Sequence, residues 1–247
     1  MKRYSVIQNT YSEFLGLIET QLEKRDIGFN YLRPFVDQAL PASALQFDGL
    51  FVLAGSKPPT DAEGHAWLGD ALHLIQVYQK AKRPVVGIGL GGQLVARVAG
   101  GEAHAEPYHR SYWTTAHATE AGKDDPLAQA VDGRRVLIIS NGRVTLPGGV
   151  EPLVVDDDGE WLVIRPNELT YGMLLRPEMK PGMIEDMIME EDRDTPDNIG
   201  ELLETARAEW GGMQEMTDQV VVALVKGLDL MHERRKAPVF SLKVENK

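Results

Sequence analysis

The sequence predicts an α/β fold: a doubly wound, mostly parallel sheet with helices on both faces, a β-rich second half and a helical C-terminal extension. Three observations carry that prediction. Apolar runs of strand length alternate with segments of helical period from the amino terminus to Gly101. The fourth of these runs lacks strict alternation, as a parallel strand covered on both faces does. A glycine-rich turn then joins that run directly to a short amphipathic segment.

"YSVIQ" (residues 4–8) reads as the first strand, and Thr10 with Glu13 forms a capping box that opens a helix running to about Lys24. "IGFNYL" (27–32) and "FDGLFVLAG" (47–55) are the second and third strands, and Thr60 with Glu63 caps a helix that ends near Ala81. "PVVGIGL" (84–90) is the fourth strand. Beyond Gly101, "RRVLIIS" (134–140), "PLVVD" (152–156), "EWLVIR" (160–165) and "TYGMLL" (170–175) are strands joined by turn-rich segments. From Pro181 the chain turns helical, with Thr195 and Pro196 as an N-cap and first-turn pair. Met213, Met216, Val220, Leu224, Leu228 and Met231 then draw one apolar stripe along the last helix. Packing on its own domain is the ordinary use of such a stripe; a partner-facing or homodimer surface, suited to adaptable methionines, is the alternative. The expected organisation is a domain over residues 1–180 and a helical extension over 181–247 packed on it.

Composition narrows the function. The 26 basic and 37 acidic residues leave a net charge of −11, which argues against a phosphate-backbone footprint and so against a nucleic-acid partner. With no cysteine, disulfides, thiolate metal sites and cysteine nucleophiles are excluded. The amino terminus has basic residues without an apolar stretch behind them, and no segment is apolar for the length of a membrane span, so a cytoplasmic protein without a membrane partner is expected. No metal or cofactor is expected.

The turn "VVGIGLGGQL" can be read in two ways. Gly87, Gly89 and Gly92 satisfy G-x-G-x-x-G, and Glu106 follows Gly87 by 19 residues, near the place of a ribose-binding acid in a dinucleotide fold. Against this, the fingerprint belongs on the first strand of its unit, and three strands precede it here. The other reading is a sharp strand-to-helix elbow, whose apex residue is strained and exposed over the helix N-terminus and whose neighbours must be small.

On that second reading the sequence resembles the class I, triad-type glutamine amidotransferases, whose elbow runs approximately G-[IVL]-C-x-G-x-Q. Gly87, Ile88, Leu90, Gly91 and Gln93 fit the pattern, and Gly89 stands at the cysteine position. Further landmarks follow in family order. "FDGLFVLAGS" resembles the strand and loop that carry the oxyanion-hole glycine, here Gly55. "SYWTTAHAT" with Trp113 resembles the stretch after the elbow helix. "NGRVTLPGG" resembles the H-G-D-x-x-x-L-P segment with Asn141 in place of histidine. "TYGMLLRPEM" resembles the segment that supplies the catalytic histidine and glutamate, with Arg176 at the histidine position and Glu178 kept. The resemblance spans residues 5–179 and implies a flavodoxin-like fold.

It also implies lost chemistry. Glutaminase action needs a thiolate to attack the amide and an imidazole to move the proton. Gly89 has no side chain, and Arg176 has only donors and stays protonated. Glu178 is then left to pair with Arg176 or another base, a contact worth little if exposed. Gly89 has two explanations: relief of strain once the thiol has no task, or a pocket retuned for binding. In the second, Gly55, Leu90, Gln93 and Arg176 would line a site for a small carboxylate or phosphate over the helix N-terminus. A non-catalytic ligand-binding or regulatory subunit is therefore expected. The alternative is a hydrolase of amides or γ-glutamyl amides using nonstandard groups, though Ser56, Ser111, Ser140, His104, His109 and His117 lie in no nucleophile or metal pattern. The family passes ammonia to synthetases, which implies a synthetase-like partner. The tail is similar to that of amidotransferase-like proteins found beside glutamine-synthetase-like enzymes in bacterial amine breakdown, which implies a γ-glutamyl ligand.

Overall fold

A computed structural model describes residues 2–60, 66–106, 109–190 and 195–231. The chain opens with β1 (Lys2–Ile7), α1 (Leu17–Glu23), β2 (Ile27–Leu32), β3 (Gly49–Val52), α2 (Leu68–Lys80), β4 (Val85–Ile88) and α3 (Leu90–Val98). Short strands β5 (Glu102–His104), β6 (Arg110–Thr115) and β7 (His117–Ala118) follow, then α4 (Pro126–Val131), β8 (Arg135–Ser140), β9 (Arg143–Thr145), β10 (Pro152–Val155), β11 (Trp161–Asn167) and β12 (Thr170–Met173). Three helices close it: α5 (Pro181–Ile188), α6 (Ile199–Ala208) and α7 (Trp210–Leu228).

Eight strands form one sheet in the order β2-β1-β3-β4-β12-β11-β10-β7. Neighbours from β2 to β12 run parallel, and β11, β10 and β7 continue antiparallel. The flavodoxin-like, mostly parallel sheet expected from the sequence is therefore present. The chain steps one way from β1 to β2 and the other way from β3 to β4, so right-handed crossovers place α1 and α2 on opposite faces. Strand order reverses between β1 and β3, which opens a crevice at their carboxyl ends. The β-rich half is divided between sheets: β8 pairs with β6 outside the large sheet, and β5 pairs with β9.

One core joins sheet and helices through Val6, Ile7, Phe51, Val85 and Ile88 on strands and Ile18, Leu22, Ile75, Tyr78, Leu94 and Leu224 on helices. A second, smaller core gathers Leu137, Ile139, Met179, Met183, Met187, Leu202 and Met213 under α5 and α6. The stripe of α7 divides between them, with Met216, Val220, Leu224 and Leu228 on the main core and Met213 on the second. Met231 departs from it: α7 ends at Leu228, Asp229 turns left-handed at φ 53°, and Met231 is exposed.

Several helix starts also move. Thr10 Oγ1 donates to Glu13 Oε2 at 3.1 Å, but no helix begins there; α1 starts at Leu17 behind Gly16, whose φ is 51°. The cause is a close approach, since a β-carbon on Gly16 would lie 2.1 Å from the Glu178 carbonyl oxygen, which accepts from Leu17 N at 2.9 Å. The second helix starts at Leu68 rather than Thr60, and Glu63 of the expected cap lies outside the described residues. Asn198, not Thr195, precedes α6, which ends at Ala208, and the last helix, α7, begins at Trp210 directly after Glu209.

Candidate functional site

β4 ends at Ile88 and α3 begins at Leu90, so Gly89 alone makes the turn. Its φ of 57° and ψ of −116° are strained for any residue with a side chain. The Gly89 amide donates to the Met173 carbonyl on β12 at 2.8 Å, and its carbonyl accepts from Gln93 N at 3.1 Å. The elbow geometry is thus held from the sheet on one side and from the helix on the other.

The adjacent glycines serve packing. A β-carbon on Gly87 would lie 2.2 Å from Gly91 O, one on Gly91 1.9 Å from Val52 O, and one on Gly92 2.3 Å from Met173 O. These contacts bring the start of α3 directly onto β3, β4 and β12. They give the glycines of Gly87–Gly92 a packing role that needs no dinucleotide, and the strand that carries them is β4 rather than the first strand of the sheet. The Gly91 amide already donates to Leu53 O at 3.2 Å, and Glu106 is exposed on the segment beyond β5.

Arg176 follows β12 and is 1 % exposed. Its Nε donates to Glu178 Oε1 at 2.5 Å, Nη1 to Ile139 O at 3.1 Å, and Nη2 to Glu13 Oε1 at 2.9 Å with Met179 Sδ at 3.4 Å. All three nitrogens of the guanidinium are engaged inside the protein. The pairing of Arg176 with Glu178 was legible from the sequence; its burial, and Glu13 as a second carboxylate, were not. Burial opposes the charge on Arg176, but Glu178 and Glu13 together hold its pKa above the ordinary arginine value. Burial pushes the Glu178 carboxyl up from the ordinary carboxylate value, and Arg176 opposes that rise only in part. Glu178 Oε2 is buried without a hydrogen-bond partner among the described residues.

Gly89 and Arg176 are neighbours: a β-carbon on Gly89 would stand 3.5 Å from Arg176 Cδ. The same β-carbon would stand 2.6 Å from Ala54 Cβ, so the methyl of Ala54 and the stem of Arg176 crowd the apex. Arg176, read from sequence as a second contact for an anion, is instead committed to two internal carboxylates.

The loop after β3 is fixed from three directions. Asn9, at the end of β1, donates through Nδ2 to Leu53 O at 2.8 Å and Ala54 O at 3.2 Å, and its Oδ1 accepts from Trp67 Nε1 at 3.0 Å. Asn141 donates to Ser56 O, and Gln93 Nε2 donates to Asn141 O at 3.2 Å and Gly142 O at 3.1 Å. A β-carbon on Gly55 would meet Leu90 Cδ2 at 2.9 Å. Gly55, Leu90 and Gln93 therefore do come together around Gly89, and all are buried. Asn9 and Glu13 are the members that sequence reasoning missed as site residues.

The remaining candidates lie apart in bonding. Ser111 Oγ donates to Asn198 Oδ1 at 2.8 Å, His104 Nε2 lies 3.1 Å from Thr145 Oγ1, and His117 Nε2 lies 2.8 Å from Asp157 Oδ1. Trp113 packs in the second core, and Ser140 Oγ is buried without a partner among the described residues. Pro107 and Tyr108 of the "HAEPYH" stretch lie outside the described residues. Among the described residues no group of carboxylates and histidines could hold a metal ion, and no helix is long and apolar enough to cross a membrane.

Comparison with known proteins identifies the fold and the family. A protein of Salmonella typhimurium named as glutamine amidotransferase-like, YfeJ, is 24% identical over 206 residues, covering 81% of this chain and 85% of its own. The crystal structure of a glutamine amidotransferase from Methylobacillus flagellatus superposes with a TM-score of 0.78 at 22% identity, covering 92% of this chain and 96% of its own. A protein of Thermoplasma acidophilum described as a GMP synthase subunit superposes at 0.54 with 14% identity, covering 87% and 98%. The family description "Glutamine amidotransferase class-I" matches residues 6–189, and the chain belongs to that family.

Proposed function

We propose that this chain is a class I glutamine amidotransferase-like protein without glutaminase activity, serving as a regulatory or binding partner of a synthetase-type protein. The observation that carries the reading is the pair Gly89 and Arg176: the elbow apex has no nucleophilic atom, and the neighbouring cation is buried between Glu13 and Glu178. Acyl transfer from glutamine needs a nucleophile and a base that can surrender and recover a proton. A guanidinium raised further by two carboxylates does neither. The elbow backbone itself persists, consistent with descent from a working site. The partner part of the reading is supported by the Thermoplasma acidophilum protein, which is by name part of a synthase.

The test is ammonia release from glutamine and from γ-glutamyl amides. Wild type is expected to give no release above buffer. Restoring thiol and imidazole as Gly89→Cys and Arg176→His, with Ala54→Gly to clear the 2.6 Å contact, is expected to give measurable release. Turnover by wild type would sink the proposal in favour of an amide hydrolase that uses other groups.

A further inference from the structure

A cleft of about 520 Å³ lies between α5, the α6–α7 junction and the loop after β1. That volume falls within the range of small-molecule sites, roughly 300–1,000 Å³. Its floor is the buried Met183, and its walls are the half-buried rings of Phe14 and Trp210. Lys180, Asp186 and Arg207 supply the charge.

The three charges are not equivalent. Arg207 is already bound, donating from Nη2 to Glu185 Oε1 at 2.6 Å. Lys180 holds its ammonium 5.8 Å from the centre of the Phe14 ring and pairs with no carboxylate among the described residues. Asp186, exposed on α5, likewise pairs with no cation among them. An aromatic, apolar floor is therefore bordered by one uncommitted cation and one uncommitted anion. A simple anion would satisfy Lys180 and be repelled by Asp186; a simple amine meets the reverse. A polyanion is disfavoured further by the net charge of −11.

We propose that this cleft binds a small zwitterion with an apolar body, of the class of a free aromatic or long-chain apolar α-amino acid. Its carboxylate pairs with Lys180, its ammonium with Asp186, and its side chain lies between Phe14 and Trp210 over Met183. Such a ligand would bear on the buried charge network, because Phe14 follows Glu13 in the chain, and Lys180 follows Met179, whose Sδ lies 3.4 Å from Arg176 Nη2. The proposal does not depend on whether the Gly89 site turns over, since its readout is binding alone.

The experiment is titration of the full chain with phenylalanine, hydrocinnamate and phenethylamine, followed by calorimetry and by tryptophan fluorescence. Phenylalanine is expected to bind saturably with one site and to alter the emission, and each of the other two, lacking one charge, to bind about tenfold more weakly or less well still. Lys180→Met is expected to weaken phenylalanine about tenfold and leave phenethylamine unchanged, and Asp186→Asn to weaken it while leaving hydrocinnamate unchanged or tighter. Trp210→Phe should remove the fluorescence change and keep the heat. Both charged residues border solvent, and thermal melts check that the variants are folded. No saturable binding of phenylalanine, equal binding of hydrocinnamate, or affinity unmoved by Lys180→Met and Asp186→Asn would each overturn the proposal.

Discussion

Replacing Arg176 with methionine tests whether the buried charge cluster holds the fold together at the elbow. The substitution keeps an unbranched stem of similar reach and removes the guanidinium. It leaves Glu178, 1 % exposed and already short of one partner at Oε2, without its counter-charge, and it takes from Glu13 the contact at 2.9 Å. Breaking a buried pair from one side costs about 3–5 kcal/mol. At about 2–4 °C per kcal/mol for a chain of this size, the midpoint should fall by roughly 6–20 °C. Urea denaturation followed by circular dichroism measures the loss, and its pH dependence gives a second reading. With the cation gone, both carboxylates ionise less readily in the folded state, so the loss should grow as pH rises and shrink toward acid. Adding Glu13→Gln and Glu178→Gln should recover most of the stability, because no buried charge is then left uncompensated. A loss below about 1 kcal/mol, or no recovery in the triple variant, would refute the reasoning.

The wild type carries its own pH signature at Glu178. Its folded pKa is raised, so the contribution is fully present below the unfolded value of about 4.3 and is lost as pH rises through the folded value; Glu178→Gln should flatten that slope in urea titrations. Gly16→Ala should cost about 2–4 kcal/mol in the same assay, since a β-carbon there meets the Glu178 carbonyl at φ 51°; a loss under about 1 kcal/mol would mean the approach is not rigid. The Asp157 carboxyl is lowered to about 2, first by the hydrogen bond from His117 and then by the Thr115 amide and Thr114 hydroxyl. It favours the fold above the unfolded value near 3.9 and loses that effect as pH falls through about 2. His117→Ala should raise the Asp157 value in a carboxyl NMR titration, and an unmoved value would rule out the histidine as the main cause.

Much of the site was legible because it is local. A strand running into a helix within residues 84–98 predicts a sharp turn, the resemblance of residues 87–93 to the family motif puts its apex at Gly89, and backbone sterics then require small neighbours. The pairing of Arg176 with Glu178, two residues apart, was within reach for the same reason. Glu13 was not, because it lies 163 residues from Arg176 and sits where Thr10 and Glu13 imitate a helix cap. The capping pattern is satisfied side chain to side chain, while the helix waits for Gly16, whose role depends on a carbonyl supplied by Glu178. The pairing of β8 with β6 was hidden for a related reason: an apolar strand does not reveal which edge it will join.

By itself the sequence determined the alternation of strands and helices, the absence of a thiol, and the residues at the elbow and after β12. The first two follow from periodicity and composition, and the third from the resemblance of two short motifs to those of the family; none needs a packing partner. Only the tertiary structure decided what Arg176 does. Its charge is set by the residue type, but its burial and its second carboxylate come from the loop after β1, which the topology folds over the carboxyl ends of the strands. The same folding brings Phe14, Lys180 and Trp210 around one cleft. Side chains so distant in sequence meet only where long-range packing places them, and no local pattern records that meeting.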